Sequence, residues 1–414
     1  ENATITARER LRMGQRLAVL DPLKTADVPE ECRARFNPLD LIESDAANAE
    51  SMARLIASTF IEASEGDKHF GPSAFSLFAA CILFVCDGAP PEKRTLDEVR
   101  ECMCFPPELQ KELLERMAGS SRKSVRRLAT ALQATPEKER ASFFSSARTG
   151  TDFLDDAPMQ EVFGSSTFKL ADLKDDPAGL SLYLCMPIDE LETYAKWFRL
   201  MVRLALKAML RPGDPATGHR TLFLLDEFHA LGHVQEIENS APLMAGAGVL
   251  LWPFVQQIAT LRRDYPKAWP VFVGNASVIT AFGIDGEDAE LVSRRLGEYS
   301  DHHKGHNISM HHGRLLTAQQ VEQAFAPKQS VMLVLDKGEK PGVVGRVAYF
   351  RDTSAFPSWH PPHGKPGPQV TQAEPVAVAV SPNKEKAGIH WTFYLFIIMA
   401  SGVIARLIKQ HYFP

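Results

Sequence analysis

Two adjacent carboxylates, Asp226 and Glu227, follow five mostly large apolar residues in the run Thr221-Leu-Phe-Leu-Leu-Asp226-Glu227. Such a run predicts a central strand that delivers both acids to its carboxyl end, the edge where ligands bind in doubly wound sheets. Successive residues of a strand point in opposite directions, so the pair can divide two tasks. Asp226 suits a nucleotide-bound Mg2+ held through a water, and Glu227 suits the water that attacks a terminal phosphate. This is the Walker B pattern. A buried strand followed by an acidic helix cap has the same appearance, so the surrounding residues have to decide.

A second apolar run, Val249-Leu-Leu-Trp-Pro-Phe-Val255, ends in Gln256-Gln257. A neutral amide at the end of a neighbouring strand can donate to a γ-phosphate oxygen without competing for Mg2+. Alternatively, Gln256 caps a helix over 256–265. Arg294 and Arg295 lie on a helix over 287–296 and are candidate arginine fingers toward a neighbour's nucleotide, or ordinary surface arginines. The densest basic cluster is Arg122, Lys123, Arg126 and Arg127. It is a candidate DNA or relaxase contact, or a solvated helix face. Histidines crowd residues 301–312, where a polar loop is preferred over a metal site. Cys102 and Cys104 have no second pair at zinc spacing.

The elements that must position these residues follow from hydrophobic pattern. Short apolar runs at 180–186, 221–225, 248–255, 278–282 and 330–335 read as strands, with helices near 188–210, 235–246, 256–265 and 287–296 between them. Near-continuous apolar strands separated by helices predict an α/β domain with a mainly parallel sheet and helices on both faces. Residues 67–145 lack β-like alternation and are punctuated by Gly-Pro, Ala-Pro-Pro and Phe-Pro-Pro, which predicts an inserted all-α domain. Its apolar run at 74–85 is short for a membrane span and reads as a buried core helix. The expected division is 1–66 for the first part of the nucleotide-binding domain, 67–145 for the insertion and 146–351 for the remainder. A Pro-rich linker over 352–387 and a candidate transmembrane helix over 388–408 complete it.

Composition agrees with a globular protein, at 45% hydrophobic and 23% charged residues. That excludes collagen-like, wholly disordered and disulfide-framework proteins. With a net charge of −5 the chain is not a basic nucleic-acid coat, so any phosphate contact must be local. The six cysteines are scattered, which fits a reducing compartment.

With these residues in place the likeness to a family becomes specific. The succession LLDEFHALGHV, LMAGAGVLLWPFVQQIATLRRDYP and WPVFVGNASVITAFGIDGEDAELVSRRLG resembles the TraG-like coupling ATPases of type IV secretion and conjugation. ENATITARER, VLDP and RFNPLD near the start fit as well, as do RLLTAQQV and KPGVVGRVAYFRD near the end. The likeness covers residues 1–352, more loosely through the α-insertion. It implies a hexameric RecA-like P-loop motor using ATP and Mg2+, with Asp226 and Glu227 as the Walker B pair and Gln256 as the glutamine sensor. It also implies single-stranded DNA, relaxase and inner-membrane secretion components as partners. The motor would sit at the bacterial inner membrane with its ATPase domain in the cytoplasm.

Two features depart from the pattern. No G-x-x-x-x-G-K-[ST] occurs in the 414 residues, and the phosphate loop is expected upstream of Glu1. The family's membrane helices are N-terminal, whereas the long apolar stretch here is C-terminal. Two other readings therefore stay open: a non-hydrolysing membrane recruitment platform of the same fold, and a chromosome-partition pump of the same broad motor class.

Overall fold

The computed structural model describes residues 2–61, 70–210, 219–244, 246–303 and 309–345. The chain forms two units, Glu1–Phe254 and Val255–Pro414. The first begins with α1 (Asn2–Arg12), β1 (Arg16–Leu20), α2 (Asp40–Ser44) and α3 (Ala49–Phe60). A helical stretch follows: α4 (Phe70–Gly88), α5 (Leu96–Cys104), α6 (Pro107–Ala118), α7 (Lys123–Ala134), α8 (Glu137–Gly150), α9 (Ala157–Phe163) and α10 (Asp172–Asp175). The unit closes with β2 (Leu180–Leu184), α11 (Ala195–Met209), β3 (Thr221–Leu225), α12 (Gln235–Met244) and β4 (Val249–Pro253).

Apolarity explains the helical stretch. In α4, Leu77, Phe78, Cys81 and Ile82 are fully buried, and the helix packs against α3, α5, α7 and α8. Among the described residues, Gly71–Gly88 is the one helix long and apolar enough to cross a membrane. Its neighbours account for that apolarity, as in a core helix. The ring of Phe60 from α3 meets Phe78 edge-on at 6.0 Å. Thr95 caps α5, accepting from Glu98 N at 3.3 Å. Arg100 on α5 is buried and grips Asp155 through Nε at 2.9 Å and Nη2 at 2.7 Å. A third nitrogen reaches Thr151 Oγ1 at 3.1 Å and the carbonyl of Arg148. This fork holds the Asp155 carboxyl below the usual carboxylate range, chiefly through the side-chain hydrogen bonds from Arg100.

β1 and β2 pair in parallel, with Val19 opposite Tyr183. α1 lies on this pair through Ala3 and Ala7, whose small side chains let the helix come close to Val19. β3 and β4 pair in parallel with Leu224 opposite Trp252. In β3, Thr221 and Phe223 are buried while Leu222 and Leu224 are exposed, as is Trp252 in β4. β3 therefore shows a period-2 division of its faces, whereas β4 is mostly half-buried.

The second unit contains α13 (Ile258–Asp264), α14 (Trp269–Asn275), β5 (Val278–Ala281) and α15 (Gly286–Leu296). It continues through β6 (Glu298–His303), β7 (Ser309–Arg314), α16 (Ala318–Ala324), β8 (Val331–Asp336) and β9 (Gly342–Gly345). Its core joins Ala289 and Val292 of α15 to Val321, Phe325 and Leu333. Thr317 and Gln320 form a reciprocal capping box at the start of α16. Here every pairing is antiparallel: β5 with β8, β8 with β9, and β6 with β7. The sheet content among the described residues thus combines the parallel pairs of the first unit with antiparallel pairs in the second. The reason is local. β8 and β9 are joined by a short turn through Gly338 at φ 97°, and a connection that short can return a strand only antiparallel. The Pro-rich linker and the candidate helix 388–408 lie outside the described residues.

Candidate functional site

β3 delivers Asp226 and Glu227 to its carboxyl end, and the ladder to β4 continues through them. Phe254 N donates to Leu225 O at 2.9 Å, and Phe228 N donates to Phe254 O at 3.3 Å. A regular parallel ladder would make the second bond from residue 227. The shift to residue 228 leaves one extra residue on the β3 side, in the manner of a bulge, a device that re-aims side chains at strand ends. Glu227 absorbs it by adopting a left-handed conformation, φ 50° and ψ 46°, which costs a non-glycine residue about 1–3 kcal/mol. Pro253 loses nothing here. Phe254 is the residue whose N–H faces β3, so the missing N–H of Pro253 falls on the other edge.

The turn beyond is pinned. Residues Phe228–Leu231 form a 3-10 turn in which Phe228 and Leu231 are buried. Ala230 N donates to Glu227 O at 2.8 Å and Gly232 N to His229 O at 3.0 Å. Gly232 sits at φ 60° beneath Arg199 of α11, where a Cβ would lie 3.2 Å from the guanidinium. Arg199 Nε donates to Leu231 O at 2.9 Å, fastening the turn to that helix. One turn further along, Arg203 holds Glu236 through two bonds of 2.8 and 2.7 Å and also donates to Thr59 Oγ1 at 2.6 Å.

The two acids have different surroundings. Asp226 is exposed and accepts from Asn2 Nδ2 at 3.0 Å, which brings the first residues of α1 to the carboxyl end of β3. Glu227 is half-buried, and its Oε2 lies 3.3 Å from His229 Nδ1. Asn2, Arg199 and His229 carried no signal in the sequence. Asn2 and Arg199 are remote along the chain, and the His229 contact depends on the turn's left-handed entry.

The other expected residues divide. Gln256 is exposed just before α13, and it is Gln257 that occupies the cap position, without a side-chain cap bond. Asp288 of α15 does that work, accepting from Ile258 N at 3.1 Å, with burial pushing its carboxyl up. Arg295 donates to Val273 O at 2.8 Å and is committed to α14, whereas Arg294 is exposed and only loosely paired with Glu290 at 3.8 Å. In the basic cluster, Arg122 is bound to Asp87 at 2.6 and 3.0 Å, and Arg126 donates to the carbonyls of Ser120 and Ser121. Lys123 and Arg127 are exposed. Cys102 is buried, which pushes its thiol up to about 12. Among the described residues no group of three or more metal-ligating side chains is assembled.

These features agree with what the chain is similar to. It is 26% identical to the protein VirD4 of Rhizobium rhizogenes over 364 residues, covering 84% of this chain and 53% of that protein. It is also 26% identical over 310 residues to the conjugal transfer protein TraG of Agrobacterium fabrum (strain C58), covering 72% of this chain and 45% of that protein. The chain thus spans about half the length of the curated relatives it matches. Two solved structures of the plasmid coupling protein TrwB share the fold. One, with a non-hydrolysable GTP analogue, has a TM-score of 0.60 at 13% identity over 83% of this chain and 76% of that chain. The other, with ADP and Mg2+, has a TM-score of 0.58 at 14% identity over 82% and 80%. The architecture is that of the RecA-like coupling proteins. The type IV secretory system conjugative DNA transfer family matches residues 1–385, so the run of motifs, the fold and the carboxylate pair at the end of β3 place the chain in that family.

Proposed function

We propose that the protein is an ATP-driven coupling protein. It brings relaxase-linked single-stranded DNA, or a protein substrate, to a type IV secretion channel at the bacterial inner membrane. It works as a homo-oligomer, a hexamer by the family's pattern. The observation that carries this reading is the carboxylate pair raised on the bulge at the end of β3. TrwB structures holding ADP with Mg2+ and a non-hydrolysable ATP analogue lend support.

The residues present fit a magnesium nucleotide. Asp226 is exposed, and among the described residues it pairs with the neutral amide of Asn2 and with no cationic side chain. ATP with Mg2+ supplies a phosphoanhydride whose developing charge is drawn off by the cation. Asp226 would hold the cation through a water. Glu227 would take a proton from the attacking water onto a carboxylate oxygen, and the Gln256 amide would orient that water. Arg294, the less committed of the two arginines, is the better candidate to reach a neighbouring protomer's phosphate. Lys123 and Arg127 are the cations of the basic cluster best suited to meet DNA phosphate.

The test is ATP binding and hydrolysis by the full-length protein beside its Glu227→Gln variant. Hydrolysis that collapses while binding persists supports the motor. A full-length protein that hydrolyses no ATP returns the non-hydrolysing platform of the same fold.

A further inference from the structure

We infer that Arg199 is a positioning residue for Glu227, holding from α11 the far end of the turn on which the acid is carried. The inference rests on the reading of Glu227 as the general base. Glu227 lies in the left-handed region, at φ 50° and ψ 46°. A non-glycine residue keeps that conformation only where its surroundings impose it. Ties on both sides impose it here. On the strand side, Phe228 N donates to Phe254 O at 3.3 Å. On the other side, Glu227 O accepts from Ala230 N at 2.8 Å and His229 O from Gly232 N at 3.0 Å, which links residues 227–232 into one piece of backbone. The end of a short 3-10 turn leaves carbonyls without a donor from the turn itself. Arg199 supplies one, its Nε donating to Leu231 O at 2.9 Å.

The helix behind the arginine is itself fixed. α11 buries Trp197, Leu200, Met201 and Leu204. Lys196, Arg199 and Arg203, spaced by three and then four residues, fall on one face of it. Lys196 Nζ donates to Gly150 O at the end of α8 at 2.8 Å, and Arg203 holds Glu236 of α12 and Thr59 of α3. Arg199 therefore stands between two braced positions on a packed helix. At the turn, the guanidinium comes close because residue 232 is a glycine, where a Cβ would lie 3.2 Å from Nη2. The tie is made to the backbone of the turn, so what it sets is where the Cα of the acid stands. A base displaced by about 1 Å loses much of its rate, and a turn released at Leu231 O has that freedom.

The experiment is steady-state ATP hydrolysis and equilibrium ATP binding by the full-length protein and its variants. Arg199→Met keeps an unbranched stem and nearly the same helix propensity, but it puts a methyl group where Nε stands. It should lower turnover about tenfold, the scale of a misaligned reacting group, with ATP affinity within about twofold of the parent. Arg199→Gln puts an amide nitrogen at the same point along the stem and should recover turnover to within about threefold of the parent. Adding Arg199→Met to Glu227→Gln should cost nothing more, because the two act through one carboxylate. Unchanged turnover in Arg199→Met overturns the inference. So does an equal loss on the Glu227→Gln background, or an Arg199→Gln variant no faster than Arg199→Met. If Arg199→Met does not fold, Arg199→Gln decides alone, and a tenfold loss of turnover in it overturns the inference. Undiminished hydrolysis in Glu227→Gln alone overturns the general-base reading beneath it, which is a separate result.

Discussion

Two parallel strands of the first unit end in the same way, apolar residues and then an aspartate: Val19-Leu20-Asp21 after β1 and Leu224-Leu225-Asp226 after β3. Their fates differ. The Asp21 carboxylate is fully buried, and it accepts from Ala26 N at 2.7 Å, Thr25 N at 3.1 Å and Arg33 Nη1 at 3.1 Å. Its acceptor capacity is used to fold the loop after β1. Asp226 stands exposed beside a neutral amide, followed by an acid on a bulge. A strand-terminal aspartate is structural when local backbone N–H groups and a cation fill its lone pairs, and available when they do not. That difference lies in the loop that follows and not in the strand.

The comparison breaks most readily at Glu227. Glu227→Gln keeps shape and hydrogen bonding but removes the basic carboxylate, so hydrolysis should fall by about 10²–10⁴-fold while ATP and Mg2+ still bind. Steady-state turnover beside equilibrium binding checks it.

Next come the two aspartates themselves. Asp21→Ala should cost about 3 kcal/mol of unfolding free energy, because it removes the buried acceptor of two backbone N–H groups and of one guanidinium nitrogen of Arg33. Asp226→Asn should cost less than about 0.5 kcal/mol and instead weaken the Mg2+ dependence of nucleotide binding. Urea unfolding and binding titrations with and without Mg2+ would read both. Equal stability losses would erase the distinction drawn here.

Gly232→Ala probes the clamp on the turn. It should destabilise by about 1–2 kcal/mol, since alanine is strained at φ 60° and its Cβ meets Arg199. Thermal unfolding of this variant beside Gly119→Ala, at a helix end with φ −87°, sharpens the comparison. The smallest effect is expected at Gln256→Ala, with ATP affinity nearly intact and turnover slowed by about a few-fold. An equal change in affinity would return Gln256 to a binding role.

Much of this was legible because large apolar residues announce themselves. The five residues of β3 and the apolar stretch of α4 predict the observed elements. α1 escaped because its buried residues, Ala3, Thr4, Ile5 and Ala7, are mostly small and leave no stripe of large side chains. α14 escaped because it is short and opens on Trp269-Pro270. β6 and β7 are mostly polar, with Tyr299 and Met310 the exceptions, and pair without an apolar alternation. At the site, the order of the two acids could be read in advance. The extra residue in the ladder could not, because it depends on which amide Phe254 O chooses.

That choice also makes the site observable from a distance. The Phe228 amide proton is the one that bridges the bulge to β4, so its exchange with solvent deuterium requires the end of the ladder to part. Slow exchange at this single position would report that the strands flanking Asp226 and Glu227 remain zipped. Its acceleration would mark local opening of the site well before the rest of the unit unfolds.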